Sequence, residues 1–204
     1  MKIIDNFLSK TYFKTISELV DGPDFEWQHL NITYNKRTDY YQPLHLNDYG
    51  FSYCFWHEKF GLRKTTHSHF IAPLLYQILD VTDCDFIVRA RADMVTWSKE
   101  DHIYPAHTDF PFPHTASVFY INESDGDTIL YNVKPEDVPK DKNYKDLKEH
   151  DRVSPIPNRL VIFDGDLLHT GCSPTKHKNR ILINSNYIKK EIAEKIQMKD
   201  EIES

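Results

Sequence analysis

Cysteine is scarce in this chain and is spaced for no cross-linking scheme. Cys54, Cys84 and Cys172 match neither a disulfide framework nor a CxxC zinc site, so free thiols in a reducing compartment are expected. Long apolar runs are missing as well: nothing approaches the roughly eighteen residues that would cross a bilayer. The first ten residues lack the charged-then-apolar pattern of a secretory signal. These absences predict a cytoplasmic protein without membrane contact. An excess of positive charge is also lacking, since 25 Lys and Arg stand against 31 Asp and Glu for a formal net charge of -6. That balance argues against a broad phosphate-binding surface and against nucleic acid as the partner. No internal repeat or low-complexity tract is visible.

What remains is a globular composition. Of 204 residues, 40% are hydrophobic and 13% aromatic, with 12 Tyr, 12 Phe and 3 Trp to fill a core. The length suits one domain over 1–204. It divides into a helix-and-strand support region over 1–82, a β core over 83–188 and a C-terminal helix or tail over 189–204.

Periodicity gives the elements. Phe7, Leu8, Tyr12, Phe13, Ile16, Leu19 and Val20 fall at helical spacing, with Ser9 or Asn6 as cap and Gly22-Pro23 as stop. Residues 28–33 and 51–56 read as strands. Residues 70–81 return to helical spacing, which requires Pro73 in the first turn. Beyond Asp83 the pattern is mostly β. Residues 86–94 alternate, with Phe86, Val88, Ala90, Ala92 and Met94 on one face and Ile87, Arg89, Arg91 and Asp93 on the other. Strands are expected over 115–121, 128–133, 159–163 and 181–187, with Asp125-Gly126 as a hairpin turn between the first two. Residues 134–152 read as a surface loop, with a lid as the alternative. The fold class is α+β, predominantly β, a sandwich or barrel of which the jelly roll is one solution.

The chemistry concentrates at His107-Thr108-Asp109, His169 and Arg180. On an extended strand His107 and Asp109 point to one face, and His169 can return on a later strand. Two imidazoles and one carboxylate cover one face of an Fe(II) ion and leave the other open to small ligands and dioxygen. Arg180 offers a planar fork of donors for a second carboxylate nearby. Other histidines are weaker candidates. His67 and His69 share the same spacing but have no carboxylate partner, so a capping or surface role is expected. His102 and His114 are read as exposed loop residues, and Arg89 and Arg91 as the charged outer face of a half-exposed strand, with a substrate anion site as the alternative. Tyr40, Tyr41, Tyr49, Phe51, Phe55 and Trp56 are assigned to packing rather than to a substrate entrance.

Several longer stretches carry a resemblance. The run Tyr104-Pro-Ala-His107-Thr-Asp109, the strand from Ser117 to Asn122, Asp125-Gly-Asp-Thr128-Ile-Leu130, the approach from Pro155 to His169-Thr-Gly171, and Arg180-Ile-Leu-Ile-Asn184 together resemble Fe(II)- and 2-oxoglutarate-dependent dioxygenases of the prolyl-4-hydroxylase-like branch. The likeness implies a double-stranded β-helix, or jelly roll, with supporting N-terminal helices. It implies Fe(II) on His107, Asp109 and His169, 2-oxoglutarate and dioxygen as co-substrates, and ascorbate as an accessory. Arg180 would receive the far carboxylate of 2-oxoglutarate, helped by Thr128. The tyrosine that commonly contacts 2-oxoglutarate has no counterpart over 94–98, and Tyr104 or Tyr131 is the expected replacement. The implied reaction hydroxylates a C–H bond of a protein side chain, amino acid or small metabolite, with release of succinate and CO2. A cupin-like dioxygenase that does not use 2-oxoglutarate, or a non-catalytic jelly-roll metal-binding module, is the alternative.

Overall fold

Strand alternation sorts this chain into two facing sheets, and the computed structural model describes residues 1–31, 49–138 and 146–203. The larger sheet takes β1 (Lys2–Ile4), β2 (Gln28–Asn31), β3 (Tyr49–His57), β4 (Gly61–Leu62), β5 (Phe86–Thr96), β6 (Thr115–Tyr120), β9 (Leu160–Asp164) and β11 (Asn179–Ile188). Its antiparallel order is β1-β9-β6-β11-β5-β3-β2, with β4 beside β3. The smaller sheet is β10-β7-β8, built from β7 (Thr128–Leu130), β8 (Asp151–Val153) and β10 (His169–Gly171). Residues 103–107 extend it, through bridges from Ile103 to Cys172 and from His107 to His169. This is a double-stranded β-helix.

Side chains of alternate parity fill three layers. Between the sheets, Ala116, Val118, Tyr120, Val161, Phe163 and Leu182 meet Leu130 and Val153. On the outer face of the large sheet, Ala90, Ala92, Ile181, Ile183 and Tyr187 pack beneath α1 (Lys10–Val20) and α2 (Thr66–Val81) through Ile16, Val20, Ile71, Leu74, Leu75 and Ile78. Outside the small sheet, Ile129, Leu168 and Cys172 are covered by Val138 and Leu147. A register shift between Asn186 and Tyr187 brings Ile87 round to the helix side, while Arg89, Arg91 and Asp93 stay on the inner face. These arginines therefore do not form an outer charged face.

Local chemistry explains the helix limits. A Cβ at Gly22 would stand 2.6 Å from the Glu18 carbonyl, so the chain leaves α1 there in a form glycine suits. The helix α2 begins four residues ahead of the apolar run, because the Thr65 hydroxyl accepts from Ser68 N–H at 3.1 Å. Pro73 consequently sits inside the helix and not in its first turn. His67 packs its ring on Phe25 and Tyr53, and His69 bonds the Thr65 carbonyl, as expected of capping and packing residues. At the C-terminus α3 (Lys190–Glu203) closes the chain.

Two turns differ from expectation. Asp125-Gly126 does not close a hairpin, since β6 and β7 belong to different sheets. The Asp125 carboxylate instead accepts from the N–H groups of Thr175, Lys176 and His177, and from the Thr175 hydroxyl at 2.8 Å. It fastens the turn that leads into β11. The loop expected over 134–152 is shorter than that, because Asp151 and Arg152 open β8. Its centre, 139–145, together with 32–33 of the strand expected over 28–33 and Tyr40 and Tyr41 of the aromatic cluster, lies outside the described residues.

The N-terminus is stapled to the later chain. β1 pairs with β9, and Asn158, at φ 64°, exchanges side-chain hydrogen bonds with Leu8 N–H and C=O at 2.9 Å. Among the described residues no helix is long and apolar enough to cross a membrane.

Burial raises the Asp125 carboxyl, but His177, Thr175 and the backbone donors outweigh it and hold the group well below the usual carboxylate range. A depressed folded pKa stabilises above the unfolded value near pH 4 and loses that contribution as pH falls through the folded value. Asp125→Asn is expected to lower stability at pH 7 by about 1–3 kcal/mol, measured by urea unfolding. The wild-type advantage should shrink steadily below about pH 4.

Candidate metal centre

His107 and His169 stand opposite each other at the mouth of the small sheet, exchanging both backbone hydrogen bonds at 3.0 Å. Directly opposed residues share a face, so both imidazoles enter the space between the sheets. Asp109 lies just beyond, in a bend, and not on the extended strand that its spacing suggests. The ligand atoms of all three lie within 4.8 Å of one another.

Hydrogen bonds fix which ring nitrogens are available. His107 Nδ1 sits 3.0 Å from the Pro105 carbonyl, and His169 Nδ1 sits 3.0 Å from the Leu167 carbonyl. A carbonyl only accepts, so each Nδ1 carries the proton and each Nε2 keeps its lone pair. His169 Nε2 is buried with no hydrogen-bond partner among the described residues. An orphaned acceptor of this kind, 3.7 Å from Asp109 Oδ2, is what a metal-ligand set looks like without its ion. Burial, with the neighbouring His169, pulls His107 down to about 4, so the ring is neutral as a ligand must be. Burial works to raise Asp109, but His169, Arg89 and His107 outweigh it and keep the carboxyl ionised, well below its usual range. The donor set fits Fe(II).

Asp109 is held in place by Arg89, expected on an outer face, and by two asparagines not singled out in the sequence. Arg89 Nη2 donates to Oδ1 at 2.5 Å while its guanidinium lies 4.7 Å from the centre of the Phe110 ring. Asn186 Nδ2 donates to Oδ2 at 2.8 Å, and Asn184 Nδ2 reaches the same oxygen at 3.4 Å. The signal for the asparagines was in β11: Ile181, Ile183 and Tyr187 serve the helix face, so Arg180, Asn184 and Asn186 fall on the inner one. His114 is also buried, not exposed; it lies against Phe110, with Nδ1 2.9 Å from the Phe112 carbonyl, and burial lowers its pKa.

Arg180 lies deeper in the same space. Its Nη2 donates to Thr128 Oγ1 at 2.6 Å, and Tyr120 OH is 2.6 Å from that hydroxyl. Two glycines make room for it: a Cβ at Gly171 would stand 2.7 Å from Nη1, and one at Gly126 would stand 3.0 Å from Cδ. Among the described residues Arg180 has no carboxylate partner, although it is only 7% exposed. Tyr104 is close by, its N–H donating to the Gly171 carbonyl and its hydroxyl 3.0 Å from Ser173 Oγ. Tyr131 is a correction: in β7 Thr128 and Leu130 face inward, so Ile129 and Tyr131 pack outside the small sheet. Tyr120 is the tyrosine whose hydroxyl stands beside Thr128 and Arg180.

No family model and no curated protein sequence matches this chain. Solved structures do. A prolyl hydroxylase from Trichoplax adhaerens, in complex with a hypoxia inducible factor oxygen degradation domain peptide fragment, is similar at TM-score 0.60 and 15% identity, over 93% of this chain and 84% of its own. A Pseudomonas putida prolyl-4-hydroxylase gives 0.56 and 12% identity, over 92% of each chain. An oxidoreductase of the 2OG-Fe(II) oxygenase family from Burkholderia pseudomallei gives 0.50 and 13%, over 69% of this chain and 66% of its own. The shared feature at these identities is the fold.

His169→Ala and Asp109→Ala are each expected to weaken Mn(II) binding at least 100-fold, measured by anaerobic titration. Asn186→Ala should weaken it roughly 10-fold, the range for a residue that orients a ligand. Unchanged affinity in the first two variants would place the metal elsewhere.

Proposed function

We propose that this chain is an Fe(II)- and 2-oxoglutarate-dependent dioxygenase that hydroxylates a C–H bond and releases succinate and CO2. The observation that carries the reading is Arg180, a buried cation with no counter-charge among the described residues, set in a cradle of two glycines beside the triad. Burying an unpaired guanidinium costs several kcal/mol, and an anionic ligand that arrives to pair with it recovers that cost. Gly171 follows His169 by two residues on β10, about 7 Å along the strand, and 2-oxoglutarate spans a comparable gap.

Each residue has a definite task under this reading. His107, Asp109 and His169 would hold Fe(II), which when bound supplies the activation of dioxygen. Arg180 would receive the far carboxylate of 2-oxoglutarate through its fork of donors, with Thr128 and Tyr120 completing the hydrogen bonds. Leu182, Val118 and Leu130 exclude water from the middle of the space. Arg89, Asn184 and Asn186 keep Asp109 ionised and oriented. A cupin-like dioxygenase or a plain metal-binding module gives Arg180 nothing to bind. Ascorbate as an accessory and a small molecule or peptide as substrate remain part of the proposal.

The purified protein with Fe(II) is expected to convert 2-oxoglutarate slowly to succinate even without a second substrate, and Asp109→Ala should abolish this. Arg180→Ala should weaken 2-oxoglutarate binding by about 2–5 kcal/mol, ~30-fold or more, with Mn(II) binding little changed. Gly171→Ala, which crowds Arg180 Nη1, should do the same in milder form. Equal succinate formation by wild type and Asp109→Ala would sink the assignment.

A further inference from the structure

The inner face of β5 carries two ion pairs, and only one of them serves the metal ligands. Arg89 is committed to Asp109. Arg91 and Asp93, two residues apart on the same face, form the second pair: Arg91 Nε donates to Asp93 Oδ2 at 2.9 Å and lies 2.8 Å from Oδ1. The strand register places this pair beside the triad. Arg91 is opposite Asn184, which reaches Asp109, and Asp93 is opposite Leu182 of the inter-sheet layer. On the other flank, β3 sets only Cys54 and Ser52 against them, small side chains that leave room.

This second pair is the more open one. The side chains of Arg91 and Asp93 are 28% and 20% exposed, against 17% and 3% for Arg89 and Asp109. Among the described residues, the terminal nitrogens of Arg91 take no hydrogen-bond partner, while Asp93 Oδ1, buried and with no hydrogen bond of its own, stands 2.8 Å from Arg91 Nε in the ion pair. The inner face of β5 thus sets a fork of donors next to a carboxylate whose acceptor capacity is not filled, with their charges already balanced. A ligand carrying net charge would leave an uncompensated ion in a poorly solvated place. A dipolar ligand would not. A guanidinium fork suits a carboxylate, and a carboxylate oxygen suits an ammonium group. The ligand that carries both groups on one carbon is an α-amino acid with free ends.

We propose that Arg91 and Asp93 form a head-group subsite for a free amino acid, Arg91 taking the α-carboxylate and Asp93 the α-ammonium, with the amino-acid side chain offered to the triad for hydroxylation. The proposal rests on the dioxygenase reading and names its substrate class. Amide bonds in a peptide remove both charges, so interior peptide residues are not substrates of this subsite.

The test uses thermal melting of the full chain with Mn(II), under nitrogen, with and without 2-oxoglutarate. Each common L-amino acid is titrated alone, then as its N-acetyl and its carboxamide derivative. A ligand that binds only the folded chain raises its melting temperature. At least one free amino acid is expected to raise Tm, with its affinity falling at least tenfold when either end is blocked. The rise should disappear in Arg91→Met and in Asp93→Asn, and the blocked ligands make the same comparison on the unaltered protein. The proposal is overturned if no free amino acid raises Tm, or if the N-acetyl or the carboxamide derivative binds as well as the free one. A missing 2-oxoglutarate rise counts against the dioxygenase reading instead, because the amino-acid melts are scored separately.

Discussion

The carboxylate of Asp109 is the point on which this structure turns. It follows the segment that extends the small sheet, yet its partners Arg89, Asn184 and Asn186 all stand on the large one. One buried anion therefore clasps the two halves of the double-stranded β-helix where the metal ligands converge. Removing a single partner from a buried ion pair costs about 3–5 kcal/mol, because the other charge is stranded. The clasp is better understood as a device for geometry than as a source of stability. With Oδ1 occupied by Arg89, and Oδ2 facing the asparagines and His169, the carboxylate has one settled orientation.

The same inner face separates three tasks by position along β11. Arg180 sits at one end with Thr128 and Tyr120, Leu182 closes the middle, and Asn184 and Asn186 support Asp109 at the other end. Neighbouring β5 repeats the spacing with Arg89 opposite Asn186 and Arg91 opposite Asn184. Under the proposed reading, co-substrate, metal and head-group roles would be distributed over two paired strands whose opposite faces pack against α1 and α2. Rigid elements place such groups more accurately than loops.

Much of this is legible from residue order because strand parity holds along most of β5 and β11, the shift at Asn186 and Tyr187 apart. Ala90 and Ala92 against Arg89 and Arg91, the return of His169, and the place of Arg180 all follow from period-two alternation. Partners across sheets were not legible, since nothing local says that residues 89 and 109 will meet. Other errors had local causes. Tyr131 was misassigned although its parity with Ile129 places it outside. The start of α2 was set at the apolar run when the helix actually begins with a polar turn capped by Thr65. Asp125-Gly126 has hairpin chemistry, but the carboxylate is engaged by the loop at 175–177, and the chain crosses to the other sheet.

The pairing of β1 with β9 has a bearing on how the molecule comes into being. Lys2 lies against Ile162, and Leu8 against Asn158, so the first strand emerges from synthesis long before its partner exists. Contacts of such separation in sequence slow folding and leave sheet edges unpaired in the interim. His107 likewise waits for His169. The His107, Asp109 and His169 constellation is thus a late product of folding, and any metal affinity it has would be absent from a nascent chain until His169 had been made and paired.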